Sequence, residues 1–204
     1  MANDKCINIY KAFLHMYLKK EKQRSHPCSD ADIEIEMEDW IKQSSITLMK
    51  MFYFTILQLW GSLSKEQKDG AIDTIKQFKF SAWQYGPVSE QVYECQSDYR
   101  KEHSIWKTFD KIKDINDGDI TPFSKKEIEG AINILYENNY FKKNILTETN
   151  PNKDRLVNLS HLLPLWKAGR FSYENYDMEY HKMPISKHNL NIEYTEFMRI
   201  IQQV

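Results

Sequence analysis

A mainly α-helical fold, a compact helical domain around one buried central helix with at most a small β-hairpin, is what this sequence predicts. Three observations lead there. The 204 residues include only 6 Gly and 6 Pro, too few for an all-β chain rich in tight turns. Apolar residues recur at spacings of three and four along most of the chain, the period of a helix with one buried face. The segment Ile46 to Trp60 is apolar on nearly every side, as a helix enclosed by others must be.

From Ile7 to Leu18, the residues Ile7, Tyr10, Leu14, Tyr17 and Leu18 form one helical stripe, ending in the Lys19 to Lys22 charge run, which suits the negative end of the helix dipole. His26-Pro27-Cys28 breaks the pattern, since proline lacks a donor and pushes its predecessor from helical angles. Asp30 to Glu38 alternates acidic and apolar residues, as a half-buried strand would. The helix template is favoured there, because Ser29 and Asp32 make a cap-like start and Ile33, Met37, Trp40, Ile41 and Ser44 share a stripe.

The central helix, Ile46 to Trp60, has its densest stripe at Leu48, Met51, Phe52, Ile56 and Leu59, and Gly61 is expected to stop it. Ser64 and Gln67 form a capping box opening a helix through Ala71, Ile72, Ile75 and Phe78, which Gly70 weakens mildly. Phe80 to Val88 reads as irregular; Ser89 then caps Val92 to Tyr99, and His103 to Ile112 reads as a short helix before the polar loop Asn116 to Asp119. Ser124 with Glu127 caps a helix whose stripe is Ile128, Ala131, Ile132, Leu135 and Tyr136, ended by Asn138-Asn139. Lys142 to Lys153 has little periodicity and reads as a loop or short hairpin. Asp154 caps Leu156 to Leu163, Pro164 follows, and the chain closes with a short helix from Ile192 through Phe197 to Ile201.

The length favours a single domain, and 41% hydrophobic residues, 13% aromatic, supply a core without disulfide staples. With 28 basic and 29 acidic residues the net charge is -1, so the overall field attracts neither nucleic acid nor an anionic membrane. Cys6, Cys28 and Cys95 are odd in number and far apart, which fits reduced thiols and a cytoplasmic location. No signal-peptide pattern opens the chain, and Ile46 to Trp60, interrupted by Thr47, Lys50, Thr55 and Gln58, is too short and polar to span a bilayer.

Residues able to carry chemistry are few. His26 and Cys28 are the one close pair of ligand types, with no second pair to complete a tetrahedral site, so no metal is expected. The glycines are isolated, which excludes a glycine-rich phosphate loop, and no Gly-x-Ser-x-Gly elbow is present. Cys95 reads as a small buried hydrophobe, and His161, within Leu159-Ser160-His161-Leu162-Leu163, as a core or cap histidine. No cofactor and no catalytic residue is expected. The acids Asp30, Asp32, Glu34, Glu36, Glu38 and Asp39 fit a solvated helix face, or alternatively a mimic of a DNA phosphate row.

One stretch asks for more. In Phe80 to Val88, Trp83 and Tyr85 precede Gly86-Pro87, where glycine can take angles closed to other residues and proline fixes its own. A rigid aromatic corner results, either a lid on the core or a device that presents aromatic side chains to a partner.

Three stretches, in order, resemble the Panacea antitoxin domain family, also called the SocA-like phage-associated family. They are Leu48-Met49-Lys50-Met51-Phe52-Tyr53-Phe54; Ala82-Trp83-Gln84-Tyr85-Gly86-Pro87-Val88 with Val92-Tyr93; and Leu159-Ser160-His161 with Trp166. The middle one, similar to a Trp-x-Tyr-Gly-Pro-Val signature, is the specific one. The resemblance runs from about Ile7 to Ile201, with insertions around Gln23 to Ser45 and Lys142 to Lys153. It implies a helical, non-enzymatic antitoxin that neutralises a cognate toxin by direct binding, in some systems as an adaptor handing the toxin to a cellular protease. It marks Trp83, Tyr85, Gly86, Pro87, Val88, Tyr93, His161 and Trp166 as signature or partner-binding residues. The alternative is a phage-encoded inhibitor of a host defence nuclease acting through the acidic, DNA-mimicking face.

Overall fold

Residues 2–25, 45–97, 115–146, 151–175 and 182–203 are described by a computed structural model; among them helices dominate, with one two-stranded antiparallel sheet. The mainly α expectation holds. The stretches read as helices from about Ile33 to Ser44 and from His103 to Ile112 lie outside the described residues.

Helix α1 (Ala2–Ser25) runs past both ends of the predicted stripe. The lysine run does not end it, because Glu21 is buried and its carboxylate accepts a hydrogen bond from the Tyr136 hydroxyl. That partner, 115 residues away, gives the extra turn a polar anchor in the core. The inner side of α1 carries Cys6, Ile9, Tyr10, Phe13, Leu14 and Tyr17, whereas Ile7 is only half-buried.

Helix α2 (Ser45–Ser62) is the axis the sequence predicts, with every residue from Thr47 to Trp60 buried. Phe52 lies at its centre, its ring 5.0 to 6.3 Å from those of Tyr10, Phe13, Phe78 and Phe80. Gly61 does not stop this helix. It sits within the last turn, where a Cβ would stand 2.0 Å from the Tyr194 ring, so the glycine makes room for an aromatic side chain.

Helix α3 (Lys65–Gln77) opens on the predicted capping box: Gln67 N–H donates to Ser64 Oγ at 3.3 Å and Ser64 N–H to Gln67 Oε1 at 2.8 Å. Ala71, Ile72 and Ile75 are its buried side. The hairpin comes next, in the stretch read as irregular: β1 (Phe80–Trp83) pairs with β2 (Gly86–Ser89), Trp83 opposite Gly86. Of the segment Lys142 to Lys153, the described residues form a π-type turn, Phe141–Ile145, and a lone bridge from Leu146 to Pro151.

Ser89 caps α4 (Glu90–Ser97) as predicted, accepting from Val92 N–H at 3.3 Å while its hydroxyl donates to the Phe78 carbonyl at 2.6 Å. In α5 (Lys125–Glu137) both the Ser124 to Glu127 capping box and the buried stripe Ile128, Ala131, Ile132, Leu135 and Tyr136 are the predicted ones. Helix α6 (Lys153–Leu162) is capped by Asn152, whose Oδ1 accepts from Arg155 N–H at 3.0 Å, so Asp154 falls inside the first turn. Helix α7 (Pro164–Asn175) starts on the proline that reads as a break, since the first helical position needs no N–H. Helix α8 (Lys187–Ile201), capped by Ser186, starts earlier than predicted and buries Leu190, Glu193, Phe197, Ile200 and Ile201 while Ile192 faces solvent. Helices α5, α6 and α8 and strand β2 all pack on α2, which places the hairpin directly against the core axis.

Candidate functional site

The hairpin turns through a two-residue loop, Gln84-Tyr85, and the pair beside such a loop, Trp83 and Gly86, exchanges main-chain hydrogen bonds. The next pair, Ala82 and Pro87, is therefore of the kind that does not. Proline costs nothing there, and its carbonyl points away from β1. That carbonyl accepts a hydrogen bond from Lys50 Nζ of α2 at 2.7 Å.

Lys50 is only 1% exposed, and burial pushes its ammonium down from the ordinary 10.5 to about 7. Gly86 lies against it with φ of +99°, a conformation that side chains resist. A Cβ on Gly86 would stand 2.2 Å from Ser160 Oγ and 2.6 Å from Lys50 Cε. The predicted corner is thus real, but its rigidity comes from what it is pressed against as well as from Gly86 and Pro87 themselves.

A second fastening comes from α6 and α7. Trp166 Nε1 donates to the Trp83 carbonyl at 2.9 Å, and the His161 ring stacks on the Trp166 ring at 3.8 Å and 15°. Burial, with the positive charges of Lys50 and Arg170 adding to it, holds His161 below its ordinary value against a hydrogen bond to the Gln84 backbone. Its Nε2 is buried with no hydrogen-bond partner among the described residues, so a second ring proton would go unpaired. His161 is a neutral stacking residue, neither wholly in the core nor a helix cap.

Helix α7 is itself held by Glu193 of α8, which accepts from Leu165 N–H at 2.7 Å and from the Tyr53 hydroxyl. Burial pushes the Glu193 carboxyl up to about 7 and the Tyr53 hydroxyl well above its ordinary value. Through Leu165 and Trp166, this buried pair indirectly braces the hairpin.

The residues of the hairpin divide sharply. Gly86, Pro87 and Val88 are buried, whereas Trp83 and Tyr85 are 37% and 55% exposed, as is Tyr93 of the adjoining α4 at 40%. Trp83 and Tyr93 meet edge to face with ring centroids 4.8 Å apart, so the exposed aromatics form a patch. Both outer edges of the hairpin are occupied: Ser81 bridges to Lys182 and Met183 N–H donates to the Phe80 carbonyl at 2.9 Å, while Pro87 faces Lys50.

All three stretches singled out in the sequence therefore meet here: Lys50 from the first, Trp83 to Val88 with Tyr93 from the second, and Ser160, His161 and Trp166 from the third. Reasoning from sequence did not single out Lys50, Ser160, Tyr53 or Glu193 as site residues. A signal existed for Lys50, the one charged residue between Ile46 and Trp60. The acidic run Asp30, Asp32, Glu34, Glu36, Glu38 and Asp39 lies outside the described residues, as do His26 and Cys28. Among the described residues no group of three or more His, Cys, Asp or Glu side chains is placed to hold a metal ion, and no helix is long and apolar enough to cross a membrane. Cys6 is buried, its thiol pushed up to about 11 by that burial, and is no nucleophile. Comparison of the chain with protein-family models, curated proteins and solved structures gives no match.

Proposed function

We propose that this chain is a non-enzymatic antitoxin of the Panacea type that neutralises a cognate toxin by binding it directly through the Trp83, Tyr85 and Tyr93 patch. The observation that carries the reading is the contrast within one hairpin: its backbone is buried and fastened by Lys50 and Trp166, while its large aromatics stand in solvent. Aromatic side chains on a rigid frame lose little entropy on binding, which makes them effective anchors at protein interfaces. Strand addition to the hairpin is disfavoured, because both edges are occupied. Recognition falls to the side chains. Delivery of the bound toxin to a protease belongs to this reading as a step after capture. The acidic-face alternative gains no support, because its residues are not described.

The test is a co-expression growth assay with the product of the adjacent reading frame as toxin. Trp83→Ala is expected to keep its helical circular dichroism and melting temperature yet lose rescue, with toxin affinity weakened about thirtyfold, the equivalent of about 2 kcal/mol for an interface anchor. Wild-type chain that neither binds the toxin nor rescues growth would refute the antitoxin reading, and folded Trp83→Ala protein that does both at wild-type levels would refute the aromatic patch as its binding surface.

A further inference from the structure

Lys50 is an expensive residue to place at the axis of a core. Its ammonium is enclosed, no carboxylate bears on it among the described residues, and its hydrogen-bond acceptor is a neutral carbonyl, that of Pro87. An apolar side chain of similar length would fill the same space without that desolvation cost. Around it Gly86, at a backbone angle closed to most residues, lets the turn settle onto Lys50 Cε and Ser160 Oγ at a distance no side chain would allow. These features converge on one point beneath the aromatic tip.

We propose that Lys50 is a clamp on the hairpin governed by its proton, so that loss of the proton tightens, and gain of it loosens, the presentation of Trp83 and Tyr85. The charged form is the costly one in the closed hairpin, where the ammonium is shut away from water, and opening relieves that cost; a difference the size of one net hydrogen bond changes local opening about fivefold. The clamp concerns this chain alone; only its consequence for a partner rests on the antitoxin reading.

The groups around Lys50 define the controls. From β2 come Gly86 and Pro87, which do not titrate, and from α6 come Ser160 and His161, the latter held below its ordinary value mainly by burial. On α2 the next turn carries Tyr53, engaged with Glu193 of α8; Arg170 of α7 bears on His161, and Glu21 of α1 is engaged with Tyr136 of α5. Two groups need their own controls: Glu193, whose carboxyl is pushed up to about 7 and which braces the hairpin through α7, and His161, which stands beside the turn.

The experiment is nuclear magnetic resonance of the full chain between pH 5.5 and 10, following the Lys50 side chain and the amide protection of residues 80–89, corrected for intrinsic exchange. Lys50 is expected to titrate near 7, well below the ordinary lysine value of 10.5, and hairpin protection to rise about fivefold at the same midpoint. The step is expected to persist in His161→Gln and in Glu193→Gln and to vanish in Lys50→Met, leaving protection flat. A Lys50 that titrates at the ordinary lysine value, a flat or falling wild-type profile across that midpoint, or a step that survives in Lys50→Met overturns the clamp. If Lys50→Met does not fold, the Lys50 and hairpin-protection midpoints measured in Glu193→Gln decide, coincident in support and separate against. A clamp step that persists while the wild-type chain fails to neutralise the toxin would refute the antitoxin reading and leave the clamp standing.

Discussion

Replacing Gly86 with alanine adds one methyl group where the structure has no room for it. The backbone angle of +99° costs an L side chain about 1 to 3 kcal/mol. The new Cβ would also stand 2.2 Å from Ser160 Oγ and 2.6 Å from Lys50 Cε, and both of those side chains are buried and cannot swing into solvent. Overpacking of this kind costs a further ~1 to 3 kcal/mol, so Gly86→Ala is expected to destabilise by about 2 to 6 kcal/mol. Urea denaturation followed by circular dichroism reads this as a lower midpoint at an unchanged slope. Adding Ser160→Ala removes the nearest clashing atom but leaves the backbone strain, so the double variant is expected to recover about 1 kcal/mol and no more. Gly70→Ala is the control: it lies in helix α3 with nothing within 4 Å of its Cβ, and is expected to stabilise by up to ~1 kcal/mol. If Gly86→Ala unfolds within about 0.5 kcal/mol of wild type, the turn is not pressed against Lys50 and Ser160 as described, and the argument for a fastened hairpin fails with it.

Phe52→Ala removes the ring at the meeting point of four others and is expected to cost ~3 to 5 kcal/mol in the same assay; a loss under about 1 kcal/mol would place Phe52 outside the core. Stability should pass through a local minimum near pH 7. Glu193, raised from 4.5 to about 7, makes the fold hold a proton the unfolded chain has released, so stability falls with rising pH across that interval. Lys50, lowered from 10.5 to about 7, leaves the unfolded chain holding the extra proton, so stability climbs from about 7 towards 10.5. Glu193→Gln should flatten the first limb and Lys50→Met the second in melts at constant ionic strength; limbs that persist in both variants would assign the dependence to other groups.

Elements whose start and stop signals are local were legible in the sequence. Helix α5 needs only Ser124, Glu127, a stripe at three and four, and Asn138, all within its own span, and the structure matches each of them. Signals that lie far along the chain were missed. Glu21 looks like part of a solvated lysine-rich run until Tyr136 is brought to it. Strand β1 shows no alternation to read, because Phe80, Ser81 and Ala82 are all buried, the serine by virtue of its bond to Glu90. Pro164 was ambiguous in principle, since a proline that ends one helix is equally suited to open the next.

The site divides in the same way, and the division says something about how the hairpin works. Gly86-Pro87 announces a sharp turn from its own chemistry, but a turn made of four residues each way is too short to be rigid alone. What fastens it is Lys50, 37 residues before Pro87, and Trp166, 83 residues after Trp83. The signal that could have been followed is energetic: a lysine inside an otherwise apolar helix must find an acceptor or be neutral, and either outcome ties it to a particular neighbour. Here the neighbour is the carbonyl of the one proline whose position in the hairpin leaves that carbonyl outside the ladder. The buried polar contact and the exposed aromatic patch are therefore two sides of one device, in which the core holds the turn by its backbone and leaves the side chains of Trp83 and Tyr85 facing outward.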